Sequence, residues 1–158
     1  MAKGKSKQTS DNFMRNVVIV FGSIMVIMIV ALIIANIFGP KTKYSDFDAV
    51  TNYALVDNQV EDVYGVYFYS ETCGACNSIK ARLIAFADSN EMDLKIYMMD
   101  AYGTSGDRSL ITGPGGVGLT STPTMLIFKD GLMVDFIVNA DNITDFFDEV
   151  EAGSYTLD

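Results

Sequence analysis

The chain contains two cysteines, Cys73 and Cys76, which are separated by Gly74 and Ala75. An apolar run of β-branched and aromatic residues, 63–69, lies just before them. Two thiols at this spacing on the first turn of a helix can alternate between a dithiol and a disulfide. The backbone amides and the positive end of the helix dipole favour the thiolate form of a cysteine at that position. The pair is therefore the first candidate for redox chemistry.

The cysteine pair could also be part of a zinc site or form a purely structural disulfide. A structural zinc ion needs four ligands, whereas the chain contains no histidine and no third cysteine. A zinc site would thus require a second copy of the chain or recruited carboxylates. A disulfide that closes so short a loop removes little conformational entropy from the unfolded state, so a purely structural bridge is also disfavoured. We favour the redox interpretation and predict neither a metal site nor another cofactor.

The hydrophobic pattern around the pair predicts a strand followed by a helix. Residues 63–69 are typical of a strand that is buried on both faces. From Cys73 the apolar residues recur at helical spacing, which predicts a helix that runs to about Asp88. Five further elements are predicted: a helix capped by Ser45, a strand at 94–99, strands at 123–128 and 132–138 joined by a hairpin turn at 129–131, and a last helix from about Ile143 to Glu151 capped by Asn142.

The stretch 101–121 holds six of the thirteen glycines and predicts a loop, with a short helix near 107–111. Within it, residues 113–118 formally match the G-x-G-x-x-G pattern of dinucleotide sites. They neither follow a strand nor open a helix, and Pro114 interrupts them, so we reject dinucleotide binding. We expect instead a mobile loop that leads into the segment before Pro123.

The order of the elements predicts an α/β fold, with a mixed sheet and helices on both faces. It places the N-terminus of the Cys73 helix at the carboxyl end of a central strand, where such sheets usually hold their sites. Thr122 and Pro123 precede the next strand. Proline at that place is usually only a strand-edge residue. A cis peptide bond there would hold the loop backbone beside the sulfurs and offer an edge to an extended peptide.

Taken together, the segments 66–76 and 118–131 resemble the thioredoxin family, and the resemblance covers about residues 46–151. It implies a thioredoxin-like fold. Cys73 would be the nucleophile, Cys76 the resolving thiol and Pro123 the cis-proline beside them. The predicted substrate-binding residues are Thr122, Pro123, Gly74 and Ala75.

The chain also departs from the family pattern. Thioredoxins commonly carry tryptophan where this chain has Thr72, and Gly-Pro where it has Gly74-Ala75. They pair a buried aspartate with a lysine at the positions that correspond to Tyr67 and Ile96. That aspartate would assist deprotonation of the resolving thiol, so its absence argues against the behaviour of an efficient cytosolic reductase. Glu71, the nearest carboxylate in sequence, is interpreted as a solvated charge.

Residues 17–38 form an uncharged apolar stretch of 22 residues and predict a transmembrane helix. A buried core helix rarely has so long an apolar run. A cleavable signal peptide usually has an apolar region of only ~7–15 residues. Bulky Ile33 and Ile37 occupy the upstream position of the possible cleavage sites after Ala35 and Gly39. We therefore predict an uncleaved anchor.

The charges that flank the stretch predict its orientation. Four Lys or Arg residues precede it and two follow it closely, which favours a cytoplasmic N-terminus and an extracytoplasmic C-terminal domain. The predicted organisation is a basic tail at 1–16, the anchor at 17–38, a linker at 39–45 and a thioredoxin-like domain at 46–158. Residues 44–158 carry five basic and nineteen acidic side chains, a net charge of −14, which argues against nucleic-acid binding.

Taken together, the resemblance and the anchor imply a single-pass membrane protein that exchanges thiols and disulfides with protein substrates. Its predicted partners are those substrates, an unidentified redox partner and the lipid bilayer. One alternative is a non-catalytic thioredoxin-like module in a membrane or secretion complex. A second is thiol-based metal handling, which the absence of histidine disfavours.

Overall fold

The computed structural model describes residues 5–37, 39–89 and 93–157. They fall into two compact units, Met1–Pro40 and Lys41–Asp158. The ends of three predicted segments lie outside the described residues: the first four residues of the basic tail, Phe38 of the anchor and Asp158 of the domain.

In the first unit the structure describes one α-helix, α1 (Lys5–Ile37). Its stretch Phe13–Ala35 is 23 residues long and, by length and composition, sufficient to cross a bilayer. A signal sequence near an N-terminus would meet the same criterion. Helical structure also extends back through most of the predicted basic tail.

The second unit is built on a four-stranded mixed sheet in the order β2-β1-β3-β4. The strands are β1 (Val63–Tyr69), β2 (Lys95–Asp100), β3 (Thr124–Lys129) and β4 (Leu132–Val138). Strand β1 is parallel to β2 and antiparallel to β3, and β3 is antiparallel to β4. The predicted α/β fold with a mixed sheet is thereby confirmed, and β1 and β4 have the predicted bounds.

Two α-helices, α2 (Gly74–Ser89) and α3 (Ala140–Glu151), pack against one face of this sheet. The rings of Phe86 on α2 and Phe147 on α3 stack with their centroids 4.3 Å apart. Because α2 connects the parallel strands β1 and β2, its first turn directly follows the carboxyl end of β1. The helix N-terminus with the two cysteines therefore lies at the end of a central strand.

The opposite face of the sheet is covered by short segments rather than by α-helices. Two 3-10 helices lie in this layer, Tyr53–Leu55 and Arg108–Leu110. Buried Ile111 and Leu119 also pack into its apolar cluster. Strand β1 contributes to both apolar clusters, because successive side chains point to opposite faces of the sheet. Tyr64 belongs to this cluster, and Tyr67 belongs to the cluster on the face that the α-helices cover.

The predicted α-helix from Ser45 is wrong. The chain there forms a 3-10 helix at Tyr44–Asp46 and then becomes extended. The Val50 amide donates to the Met98 carbonyl at 2.9 Å, and the Met98 amide donates to the Asp48 carbonyl at 2.8 Å. Strand β2 lies at the edge of the sheet, so its outward backbone groups need partners. This requirement of the sheet overrides the helical spacing of the apolar residues.

The N-terminal end of α3 also differs from the prediction. The helix begins at Ala140 and its cap is Asn139, not Asn142. The Asn139 side-chain oxygen accepts the Asn142 amide at 2.9 Å, and the Asn139 backbone has a φ of 74°. A positive φ is uncommon for a residue other than glycine, and here it turns the chain at the corner between β4 and α3.

The hairpin turn between β3 and β4 contains two residues of positive φ. Asp130 has a φ of 52° and Gly131 a φ of 75°. Turns of this kind match the twist of the flanking strands and favour Asp-Gly at their centre. Glycine adopts this conformation without strain, whereas a residue with a Cβ at position 131 would be strained.

We expect Gly131→Ala to lower the free energy of unfolding by ~1–2 kcal/mol, because an L-residue is strained in the left-handed region. Gly118→Ala is the matched control. Gly118 lies outside that region, and an added Cβ would have no neighbour closer than 4.0 Å. Urea unfolding of the full-length protein in detergent, followed by tyrosine fluorescence, measures both effects. Equal stability of the two variants would contradict this account of the turn.

Candidate active site

Cys73 occupies the N-cap position of α2. Its amide donates to the Ser70 carbonyl at 3.1 Å, and its carbonyl accepts the Asn77 amide at 3.0 Å as the first hydrogen bond of the helix. The Cys73 sulfur accepts the Cys76 amide at 3.0 Å. A capping side chain normally supplies such an acceptor through an oxygen. Here a sulfur occupies that position, at the positive end of the helix dipole.

The two cysteines differ in their exposure to solvent. Cys73 is partly exposed, whereas Cys76, one turn further into the helix, is completely buried. They form a disulfide, and their Cα atoms are 5.2 Å apart. After reduction, an incoming disulfide can reach the Cys73 sulfur directly, while Cys76 can react only with a sulfur already attached to Cys73.

The segment before β3 lies beside the cysteine pair. The Thr122–Pro123 peptide bond is cis. The Thr122 carbonyl oxygen is 3.4 Å from the Cys73 sulfur. Two hydrogen bonds hold the segment. The Thr124 hydroxyl donates to the Ser121 carbonyl at 2.8 Å, and the amide of Asn139, the cap of α3, donates to the Pro123 carbonyl at 3.1 Å.

The structure therefore brings Cys73, Cys76 and Thr122 together. Pro123 is buried behind Thr122, while Gly74 and Ala75 are exposed on the first turn of α2. These exposed positions leave the backbone of the turn open to an approaching partner.

A groove of about 500 Å³ opens next to Cys73. Thr72 and Thr122 line it on one side, and Tyr102 and Arg108 from the loop after β2 line it on another. Tyr102 and Arg108 were not among the predicted site residues. One signal was present, since Arg108 is the only Lys or Arg between β2 and β3.

The glycine-rich segment at 113–118 forms a closed turn rather than part of this groove. The Gly113 amide donates to the Val117 carbonyl at 2.7 Å, and the Leu119 amide donates to the Ile111 carbonyl at 3.3 Å. Ile111 and Leu119, which flank this turn, are both buried, so the turn is attached to the core of the domain at its two ends. The groove is lined instead by the residues that follow it, 120–122.

Tyrosines underlie the first turn of α2. The Tyr44 hydroxyl donates a buried hydrogen bond to the Cys76 carbonyl at 3.1 Å. The Tyr44 ring packs against the ring of Tyr69, with centroids 4.1 Å apart, and near that of Tyr67. Burial raises the pKa of Tyr44 to about 12 and also raises the pKa of Tyr67. These phenols are therefore neutral at physiological pH.

Tyr67 and Ile96 occupy the positions at which the family pattern has a buried ion pair. Both side chains are buried in the apolar cluster that α2 covers. The Tyr67 hydroxyl has no hydrogen-bond partner among the residues that the structure describes. Glu71 is exposed, and its carboxylate is 3.8 Å from the Lys80 ammonium. The two positions of the family's ion pair therefore hold neutral side chains beneath α2.

Within the described part of the chain, no group of three or more His, Cys, Asp or Glu side chains is placed to hold a metal ion. The two sulfurs are bonded to each other. The site thus offers two sulfurs, a helix N-terminus and an exposed backbone segment. These are the components of thiol–disulfide exchange.

A sequence model of the thioredoxin family matches residues 49–152. The chain belongs to the thioredoxin family. The match includes the cysteine pair, the Thr122–Pro123 segment and all four strands. Membership in this family, together with the Cys73–Cys76 pair, supports a thiol–disulfide oxidoreductase in general terms.

Solved structures agree with this assignment of the fold. Mitochondrial thioredoxin 3 of Saccharomyces cerevisiae in its oxidised form superposes with a TM-score of 0.54 at 20% identity, covering 69% of this chain and 97% of the yeast protein. Thioredoxin from Trypanosoma brucei brucei superposes with a TM-score of 0.54 at 19% identity, covering 71% and 94%. Thioredoxin from Malassezia sympodialis gives a TM-score of 0.52 at 22% identity, covering 73% and 95%. A search of curated protein sequences finds no significant match.

We expect Tyr44→Phe to lower the free energy of unfolding by ~1 kcal/mol, because it removes a buried hydrogen bond and leaves the Cys76 carbonyl without its donor. Tyr102→Phe is the matched control, since the Tyr102 side chain is 82% exposed. Urea unfolding of the oxidised full-length protein in detergent measures both. A Tyr44→Phe variant as stable as the control would show that the hydrogen bond contributes nothing.

Proposed function

We propose that the protein is a membrane-anchored oxidoreductase that exchanges thiols and disulfides with protein substrates on the extracytoplasmic side. One observation carries the proposal: the partly exposed Cys73 sulfur lies at the N-cap of α2 and accepts the Cys76 amide at 3.0 Å. An amide donor and a helix dipole stabilise a thiolate more than a neutral thiol. Cys73 is thereby suited both to attack a disulfide and to leave as a thiolate.

In the reducing direction, the Cys73 thiolate attacks one sulfur of the substrate disulfide. A mixed disulfide forms, and the other substrate sulfur leaves as a thiolate that takes a proton from water. Cys76 then loses its proton and attacks the Cys73 sulfur, which releases the second substrate thiolate and closes the Cys73–Cys76 disulfide. Two electrons pass from the protein to the substrate. The same steps in reverse oxidise a substrate dithiol.

The Thr122–Pro123 segment has the role of a docking edge in this proposal. Its carbonyl oxygen at Thr122 lies 3.4 Å from the Cys73 sulfur, so a substrate chain that reaches the sulfur also passes this backbone. An extended peptide gains affinity by pairing with exposed backbone groups of this kind. Gly74 and Ala75 follow Cys73 on the exposed first turn of α2 and add little steric hindrance.

The anchor is the stretch Phe13–Ala35 of α1. Four basic residues before its uncharged run, 17–38, and two after that run support a cytoplasmic N-terminus. An extracytoplasmic compartment also favours the persistence of a disulfide, since cytosolic thiols are kept reduced. The domain that follows the anchor would thus work where protein disulfides form.

A non-catalytic interaction module is the second candidate, and the neutral pair Tyr67 and Ile96 favours it. Both side chains are buried, so no carboxylate from these positions can accept the proton of Cys76. The presence of both cysteines, with Cys73 lining an open groove, favours the enzyme.

The two candidates differ in what Cys76→Ser does. In the oxidoreductase, this variant forms the mixed disulfide through Cys73 but cannot resolve it, so substrate proteins remain covalently attached. Non-reducing electrophoresis of full-length protein isolated from cells measures the trapped species. Cys73→Ser is the control and should trap far less, because Cys76 is completely buried.

Purified wild-type protein is then assayed for reduction of a protein disulfide with a chemical reductant. Trapping together with turnover supports the oxidoreductase. If neither trapping nor turnover occurs, and the double variant Cys73→Ser, Cys76→Ser still replaces the wild-type protein in cells, the interaction module is supported and the enzyme is refuted.

The proposed orientation is tested by cysteine labelling in intact cells. In a background with Cys73→Ser and Cys76→Ser, Thr156→Cys places one thiol at an exposed position of the domain. We expect an impermeant maleimide to label it in intact cells. Ser6→Cys, on the other side of the apolar stretch, should be labelled only after lysis. The opposite pattern, or labelling of both only after lysis, would refute the extracytoplasmic placement.

A further inference from the structure

The groove beside Cys73 contains one charged side chain, Arg108, among otherwise neutral lining residues. The other groups that line it are hydroxyls, backbone and the phenol of Tyr102. This cation is unusual because residues 44–158 carry nineteen acidic and only five basic side chains. Its environment therefore indicates what the groove can bind.

Two contacts fix the position of the Arg108 guanidinium. It lies over the ring of Phe68 at 5.0 Å from the centroid, and its Nη2 donates to the Ala101 carbonyl at 3.3 Å. Phe68 is a buried residue of the central strand. A guanidinium held by stacking loses little conformational freedom when it binds a ligand.

Arg108 has no carboxylate within 4.0 Å among the residues that the structure describes, in contrast to Arg82, which pairs with Asp148 and Glu151 on α3. The adjacent Asp107 accepts the Ser109 amide at 2.9 Å and caps the 3-10 helix instead. A guanidinium has five N–H donors in a planar arrangement that matches a carboxylate. Most of these donors remain available to a ligand.

We propose that Arg108 binds an acidic side chain of the protein substrate, located close in sequence to the substrate cysteine that reacts with Cys73. This inference rests on the proposed exchange activity and names its substrate class. Cys73 and Arg108 line the same groove, so an extended segment whose cysteine reaches the sulfur also passes the guanidinium. Because the rest of the domain is acidic, a carboxylate elsewhere on the segment is repelled, and Arg108 thereby selects the register of binding.

The test uses the full-length Cys76→Ser variant in detergent, reduced, and peptides with blocked termini whose single cysteine carries a 2-thiopyridyl disulfide. The Cys73 thiolate attacks the peptide sulfur, forms the peptide mixed disulfide and releases pyridine-2-thiolate. This anion takes a proton from water and becomes 2-thiopyridone, whose absorbance gives the rate. The peptides carry Asp, Asn or Lys at one or two residues from the cysteine on either side and are otherwise identical.

We expect the best Asp peptide to react about fivefold to tenfold faster than its Asn counterpart. In Arg108→Gln this ratio falls to about one, and in Arg108→Glu the Lys peptide becomes the fastest. Lys41→Gln is the matched control, since it removes one positive charge outside the groove and should keep the ratio. Added salt lowers the ratio in the parent protein, because exposed charges are screened.

The outcomes separate this inference from the proposed function. Thiopyridone release at equal rates from all three peptides leaves the exchange activity intact and overturns the role of Arg108. A preference for Asp that persists in Arg108→Gln overturns it as well, since another cation must then be responsible. If no peptide reacts, Cys73 is not the nucleophile, and both proposals are wrong. Circular dichroism checks that each variant is folded. If Arg108→Glu does not fold, the Asp-to-Asn rate ratio in Arg108→Gln alone decides the test.

Discussion

The site depends on a single hydrogen bond, from the Cys76 amide to the Cys73 sulfur, at the first turn of α2. It holds the Cys73 sulfur at the positive end of the helix, while Cys76, one turn further along, lies in the core. The fold serves to keep this turn in place: β1 delivers the chain to it, α3 packs against α2, and Thr122 approaches from β3. The asymmetry between the two thiols follows from their positions on one helical turn.

Much of the fold is predictable from local pattern. Strands β1 and β4 have the bounds that their apolar and aromatic residues predict, and Asp130-Gly131 identifies the hairpin turn. The segment after Ser45 was mispredicted because its apolar spacing fits a helix, whereas its backbone is required at the edge of β2. Pairing with a strand distant in sequence leaves no local signal. The cap of α3 is Asn139 and not the predicted Asn142 for a different reason: asparagine occurs at both positions, so residue type alone does not mark the first turn.

The residues of the site also differ in whether local sequence predicts them. Cys73 and Cys76 share one short motif, and Thr122 was found because its proline marks a recognisable segment. Tyr44 and Arg108 lie on segments with no motif of their own, and only packing brings them to α2 and to the groove. Arg108 carried a weak signal as an isolated cation in an acidic domain. Tyr44 carried none, because an aromatic residue near the start of a domain is usually a core residue.

The neutral layer beneath α2 has a consequence for proton balance. Reduction of the disulfide takes up two electrons and, below the pKa values of the thiols, two protons. In a protein with an ionisable carboxylate under the pair, that group would bind or release protons as the sulfurs change state. Here burial keeps Tyr44 and Tyr67 protonated across the physiological range. The coupling between electrons and protons at this site is therefore set by the two sulfurs and by the water that reaches Cys73.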